Sequence, residues 1–196
     1  MNTVKLKKGE GRILSAKGAW VYDNEIAEAD PSITDGEIVR IEAHNGFCLG
    51  QGFYNSHSKI RIRLVSRYEN TDIDEAFWIA QVKRAYAYRK DLGDLEAVRL
   101  IFGEADFLPG VIVDKFHDLL VIQCLALGME AQKMLIVNTL KGLLEADGYP
   151  IRGIYERSDA KVRLQEGLEK VKGWLSEPTS PITVITENGV KFEVDV

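Results

Sequence analysis

The chain has 196 residues, 45% hydrophobic and 28% charged, with a formal net charge of −5. That composition can bury a core and excludes a disordered or collagen-like chain. The longest apolar stretch, Leu119 to Leu127 interrupted by Gln123, falls far short of the roughly 20 residues of a bilayer span. The opening MNTVKLKKGEGR is basic with no apolar segment behind it, so no secretory leader is expected. Cys48 and Cys124 lie far apart and belong to no Cys/His cluster. Neither a disulfide nor a metal site is expected, and a reducing cytoplasm is the expected compartment. The charge is uneven: residues 1–70 carry ten Lys/Arg against nine Asp/Glu, and residues 71–196 carry fifteen against twenty-one. Only a local basic patch, not a global field, could meet nucleic acid.

Residues 3–8 alternate apolar and basic and predict a short strand. Gly9, Gly11 and Gly18 bracket a loop with a turn of helix around residues 12–16. WVYDNEIAEAD predicts strand, a turn at Asp23-Asn24, and strand again. EIVRIEA alternates strictly, Asn45-Gly46 is a hairpin turn, and FCLGQGFYN returns, with Gly50 and Gly52 marking a bulge. KIRIRLVSR is a further strand with Ile60, Ile62 and Leu64 on one face and Arg61, Arg63 and Val65 on the other. Several short strands in about 65 residues predict a small β-barrel.

Residues 72–92 lack Gly and Pro, begin acidic and end basic, as a helix macrodipole favours. Ile73, Ala76, Phe77 and Ala80 suggest its buried stripe. Strands are then expected over 97–102, 110–115 and 118–125, a helix over 129–146 stopped near Gly148, and a strand over 152–157. A short helix is expected within 159–166. A final hairpin turns on Asn188-Gly189.

Four stretches carry a resemblance: GAWVYDNEI (18–26), RLIFGEADFLPGVIVDKF (99–116), GIYERSDAKVRLQEGL (153–168) and ENGVKFEVDV (187–196). With GQGFYNSHSKIRIRLVSR (50–67), they make the chain similar to the S-adenosylmethionine-dependent, class I cytosine-C5 methyltransferases of 23S ribosomal RNA that carry a PUA domain. GEADFLPGVIVD is the most specific stretch. The resemblance implies an α+β fold class: a PUA-like RNA-binding β-barrel over 1–70, a connecting helix over 71–93, and a small α/β domain with a mixed or antiparallel sheet over 94–196. The family's Rossmann-like methyltransferase domain and catalytic cysteine would follow beyond Val196, so both are expected to be absent here. S-adenosylmethionine would serve the full-length parent and no cofactor this chain. Alone, the chain would recognise ribosomal RNA without catalysis. Its partners would be ribosomal RNA and the missing domain, with no membrane, and association with a second copy is left open.

For RNA contact the candidates are Lys17, Gly18, Arg61, Arg63, Lys59 and Arg12. The resemblance places Lys17-Gly18 in the RNA-binding loop, and Arg61 and Arg63 share a strand face that could grip phosphates as a pair. Trp20 reads as packing rather than stacking. Glu104, Asp106, Arg157, Asp159, Arg163 and Glu166 read as a structural or domain-interface network. Cys124, in LLVIQCLAL, reads as a buried hydrophobe rather than a nucleophile. Two other functions remain: a stand-alone RNA- or protein-binding module, and a hydrolase built on Glu104 and Asp106, which would lack a nucleophile and a base.

Overall fold

The computed structural model describes residues 1–16 and 18–196. The first region contains β1 (Thr3–Leu6), α1 (Arg12–Ser15), β2 (Trp20–Tyr22), β3 (Ile26–Ala29), β4 (Ile38–Glu42), β5 (Cys48–Tyr54) and β6 (Ile60–Ser66). Its strands form one six-stranded sheet, in the order β2-β6-β5-β4-β1-β3. The β1–β4 pair is parallel and the others antiparallel. Residues two apart point to one face, so Val4 with Leu6, Val39 with Ile41 and Ile62 with Leu64 form a small core, closed by Val21 and by Leu14 of α1.

The expected barrel is corrected to an open half-barrel. The edge strands β2 and β3 are joined through a 3₁₀ turn at Asp23–Glu25, where the Glu25 carboxylate accepts the Tyr22 N–H at 2.7 Å. They meet end to end, and among the described residues no ladder joins them. Curvature comes from bulges on both sides of β5. At Gly52 a Cβ would sit 2.4 Å from the Arg63 carbonyl oxygen, so only glycine lets the strands approach there.

Helix α2 (Glu75–Leu92) starts at Asp74, whose carboxylate accepts the Phe77 N–H at 2.9 Å. Such a cap contributes about 1 kcal/mol. Gly93 ends the helix at φ 128°. The buried stripe is Trp78, Val82, Ala85 and Tyr86, while Ala76 and Ala80 are exposed. The helix is thus rotated from the expected orientation, because it buries its larger side chains.

The second region has β7 (Ala97–Phe102), β8 (Val111–Phe116), β9 (Leu119–Cys124), α3 (Lys133–Ala146), β10 (Gly153–Ser158), α4 (Val162–Gln165) and β11 (Val171–Trp174). These strands form a sheet in the order β11-β10-β9-β8-β7. Only β9 and β10 run parallel, and α3 is the crossover such a pair requires. Strand β11 escaped the sequence reading: it is four residues long and contains Gly173. One face of the sheet packs α2 and α3. The other is covered by the hairpin β12 (Ile182–Glu187) and β13 (Val190–Asp195), which turns through positive φ at Asn188 and Gly189.

The larger core does not stop at the second region. Phe53 of β5 and Val65 of β6 belong to it. The Phe53 ring stacks on Trp78 of α2, with centroids 5.8 Å apart and planes at 5°. The same ring fills the space a side chain at Gly128 would need, since a Cβ there would lie 2.2 Å from it. Among the described residues no helix is long and apolar enough to cross a membrane.

Candidate nucleic-acid interface

Arg63 lies at the seam between the two sheets. It is 8% exposed, and its two terminal nitrogens each donate to a carboxylate at 2.9 Å: Nη1 to Glu104 Oε1 and Nη2 to Glu166 Oε1. Glu166 also accepts from Ser58 Oγ at 2.6 Å and Asn55 Nδ2 at 3.1 Å. Trp20 Nε1 donates to Glu104 Oε1 at 2.8 Å, and the Arg63 guanidinium lies 5.7 Å from the Trp20 ring centroid. Residues from β2, β6, the turn after β7 and the end of α4 are thereby clamped together. A buried cation between two carboxylates is costly to disturb, because removing it leaves charge stranded.

Asp106, in the same turn as Glu104, is held by a bidentate pair from Arg89 of α2, both contacts 2.7 Å, and accepts the Phe102 N–H at 2.7 Å. The turn is therefore fixed by both of its carboxylates. Neither is left with the freedom a catalytic pair would need.

The six charged residues expected to form one network divide among four places. Glu104 and Glu166 join Arg63, while Asp106 pairs with Arg89. Arg163 donates to Glu130 at 2.8 Å, to the Cys124 carbonyl oxygen and to the Glu169 carbonyl oxygen. Burial disfavours the Glu130 carboxylate, but hydrogen bonds from Arg163 and Lys133 outweigh it and hold the carboxyl below its ordinary value. Arg157 and Asp159 lie elsewhere, lining a cavity of about 390 Å³ beside β13. Among the described residues Arg157 has no side-chain hydrogen bond or ion pair.

The six RNA candidates are likewise separated. Lys17 lies outside the described residues. The Gly18 carbonyl accepts from Arg67 Nη2 at 2.7 Å, and Arg67 Nη1 donates to the Leu14 carbonyl at 2.6 Å. Arg67, not singled out from sequence, thus holds the loop after α1. Arg12 and Lys59 are exposed. Arg61 is half-buried, donates to the Asn55 carbonyl at 3.2 Å and lies 5.9 Å from the Tyr54 ring centroid, with no carboxylate partner among the described residues. The supposed Arg61–Arg63 pair is corrected: the second sheet docks on Arg63 and consumes its guanidinium, leaving Arg61 at the surface.

Above the seam is a cleft of about 430 Å³. Trp20 and Phe102, 38% and 51% exposed, both line it. The packing role expected for Trp20 is only half of its situation, and Phe102 carried no signal beyond ending a strand. Cys124 is fully buried, and burial pushes its thiol well above the ordinary cysteine value. It is a core residue.

Residues 4–67 match the model of a PUA-like domain. Over 200 aligned residues the chain is 39% identical to ribosomal RNA large subunit methyltransferase I of Pseudoalteromonas translucida, covering 100% of this chain and 49% of the relative. The same enzyme of Aliivibrio fischeri is 38% identical over 99% and 49%, and that of Klebsiella pneumoniae 35% over 97% and 48%. The chain spans about half the length of the curated relatives it matches. Among solved structures, a candidate SAM-dependent methyltransferase of Streptococcus mutans superposes with a TM-score of 0.77 at 17% identity, over 100% of this chain and 49% of that one. A candidate methyltransferase complexed with SAH gives the same TM-score over 48% of its chain.

These superpositions overturn the expected fold class, in which a barrel domain and an α/β domain were set apart from the methyltransferase fold. The PUA-like half-barrel and the second sheet with its helices together lie on about half of a methyltransferase chain. The turn after β9 provides a test of fit to S-adenosylmethionine, because it enters the βαβ unit β9–α3–β10 and carries Gly128. A nucleoside-binding turn uses glycine to let a ligand approach. Here the Phe53 ring already fills that space, so this turn does not fit the cofactor.

Proposed function

We propose that these 196 residues are the RNA-recognition portion of an S-adenosylmethionine-dependent ribosomal RNA (cytosine-C5) methyltransferase, presenting ribosomal RNA to the methyl-transfer machinery of the whole protein. Residues 1–70 act as the RNA-binding domain, 71–93 as a rigid connector and 94–196 as a central domain that carries the seam. The observation that supports this best is the PUA-like match combined with similarity, over the full chain, to enzymes named for ribosomal RNA methylation. On this reading the contacts come from Arg12, Lys17, Gly18, Lys59 and Arg61, and Arg63 holds the strand that presents them. Exposed cations and backbone groups suit recognition of structured RNA by shape and phosphate position. Neither the occupied turn at Gly128 nor buried Cys124 supports methyl transfer by these residues themselves.

The test is binding of a labelled fragment of large-subunit ribosomal RNA to the purified chain, from low to moderate salt. Salt-dependent binding is expected. No binding at low salt by a folded chain would contradict the proposal. Calorimetric titration with S-adenosylmethionine should give no heat of binding, and micromolar affinity would overturn the assignment of roles.

A further inference from the structure

We infer that the cleft above the seam is a receptor for one unstacked base of an RNA strand. This rests on the RNA-recognition reading and assigns it a second, chemically distinct contact. Trp20, Ile60, Phe102, Ile112 and Val162 give the cleft apolar walls, and Arg63 and Glu104 give it a polar one. An apolar slot with a few convergent polar groups is the usual form of a small-ligand site.

The aromatic rings are held in place before any ligand arrives. The Arg63 guanidinium lies 5.7 Å from the Trp20 ring centroid, and that of Arg99 lies 5.2 Å from the Phe102 centroid. Each arginine is anchored in turn, Arg63 by Glu104 and Glu166, and Arg99 by a bidentate pair to Asp114 at 2.8 and 3.0 Å. Ordering the rings during folding leaves less entropy to lose on binding. Half-exposed aromatic rings at a cleft suit the face of a nucleobase.

The polar groups and charges match a nucleotide as well. Both donors on Glu104 use Oε1, leaving Oε2 to accept from a base. The edge of a base offers both donors and acceptors. Around the slot, Lys59 and Arg61 flank Ile60, and Lys161 precedes Val162. Among the described residues none of the three has a carboxylate partner, unlike the arginines of the wall. A slot whose own charges are paired, bordered by cations that are not, complements a neutral base joined to a phosphate chain.

The test uses the whole chain and a fluorescein-labelled 12-nucleotide unpaired RNA of mixed sequence, alongside the same strand made abasic at its central positions. Wild type should bind the intact strand about tenfold or more tightly than the abasic one, as base–aromatic stacking implies. Phe102→Leu keeps an apolar wall at a half-exposed position and should leave the melting temperature unchanged while removing most of that preference, and Phe102→Trp should retain it. Equal affinity for intact and abasic strands, with Lys59→Ala still weakening both, would overturn the base receptor while leaving RNA recognition standing. No binding of either strand, with ribosomal RNA fragments also unbound, would overturn both. Binding that favours the intact strand but is indifferent to Phe102→Leu would overturn the assignment to this cleft.

Discussion

Arg61 and Arg63 are two residues apart on one strand, yet they occupy opposite physical situations. Arg61 is at the surface with a backbone carbonyl for a partner; Arg63 is buried between two carboxylates contributed by the second region. The outer edge of the half-barrel is a place where cations remain available. The seam is a place where they are consumed to join two sheets. Residue type does not separate the two roles; the docking of a second sheet on one end of β6 does.

Several substitutions should break or sharpen this contrast, and the largest effects lie at the seam. Phe53→Ala removes the ring that joins β5 to Trp78 and to the Gly128 turn. It should cost about 3–5 kcal/mol in urea unfolding. Arg63→Ala strands Glu166, itself almost fully buried, and should cost a similar amount, about 3–5 kcal/mol. A loss under about 1 kcal/mol would show that the seam is not what holds the regions together. Gly128→Ala drives a methyl group into the Phe53 ring and should cost about 1–3 kcal/mol, seen as a lowered urea midpoint.

Acid should weaken the second region more gently. The carboxyls of Glu130 and Asp118 are held below their ordinary values: burial opposes this, but hydrogen bonds from Arg163 and Lys133 to Glu130, and from Arg152 and Thr183 to Asp118, prevail. A depressed folded-state value contributes stability above the unfolded value, near 4.5 for Glu130 and 3.8 for Asp118, that is lost as pH falls through the folded one. Unfolding free energy should therefore decline below about pH 4.5, and Glu130→Gln should flatten that decline. The smallest effect on stability belongs to the outer edge. Arg61→Ala should change the unfolding free energy by no more than about 0.5 kcal/mol.

Much of the fold was legible because local chemistry decides it. Asn188-Gly189 turns a hairpin because both residues accept positive φ, and Asp74 and Gly93 bound α2 through capping and a positive φ. The face α2 buries was not legible. Its alanines and aromatics fit two overlapping stripes, and contact with Phe53 and the second sheet selects the one containing Trp78. The open edge of the half-barrel depends on how Glu25 folds back on Tyr22, a detail of a three-residue turn. The site was half legible. Basic residues on β6 stood out, but their division into surface and seam required Glu104 and Glu166 from far along the chain. Phe102 looked like any strand residue, since nothing local reports that its ring stays half-exposed beside Trp20.

The most direct measurement is the salt dependence of RNA binding by wild type and by Arg61→Ala, with melting temperature monitored in both. A phosphate contact accounts for a slope of about 0.7 to 0.9 in log K against log salt. The account predicts that Arg61→Ala binds more weakly, with a slope shallower by about that amount and an unchanged melting temperature. An unchanged slope and affinity would contradict the assignment of the outer edge to RNA.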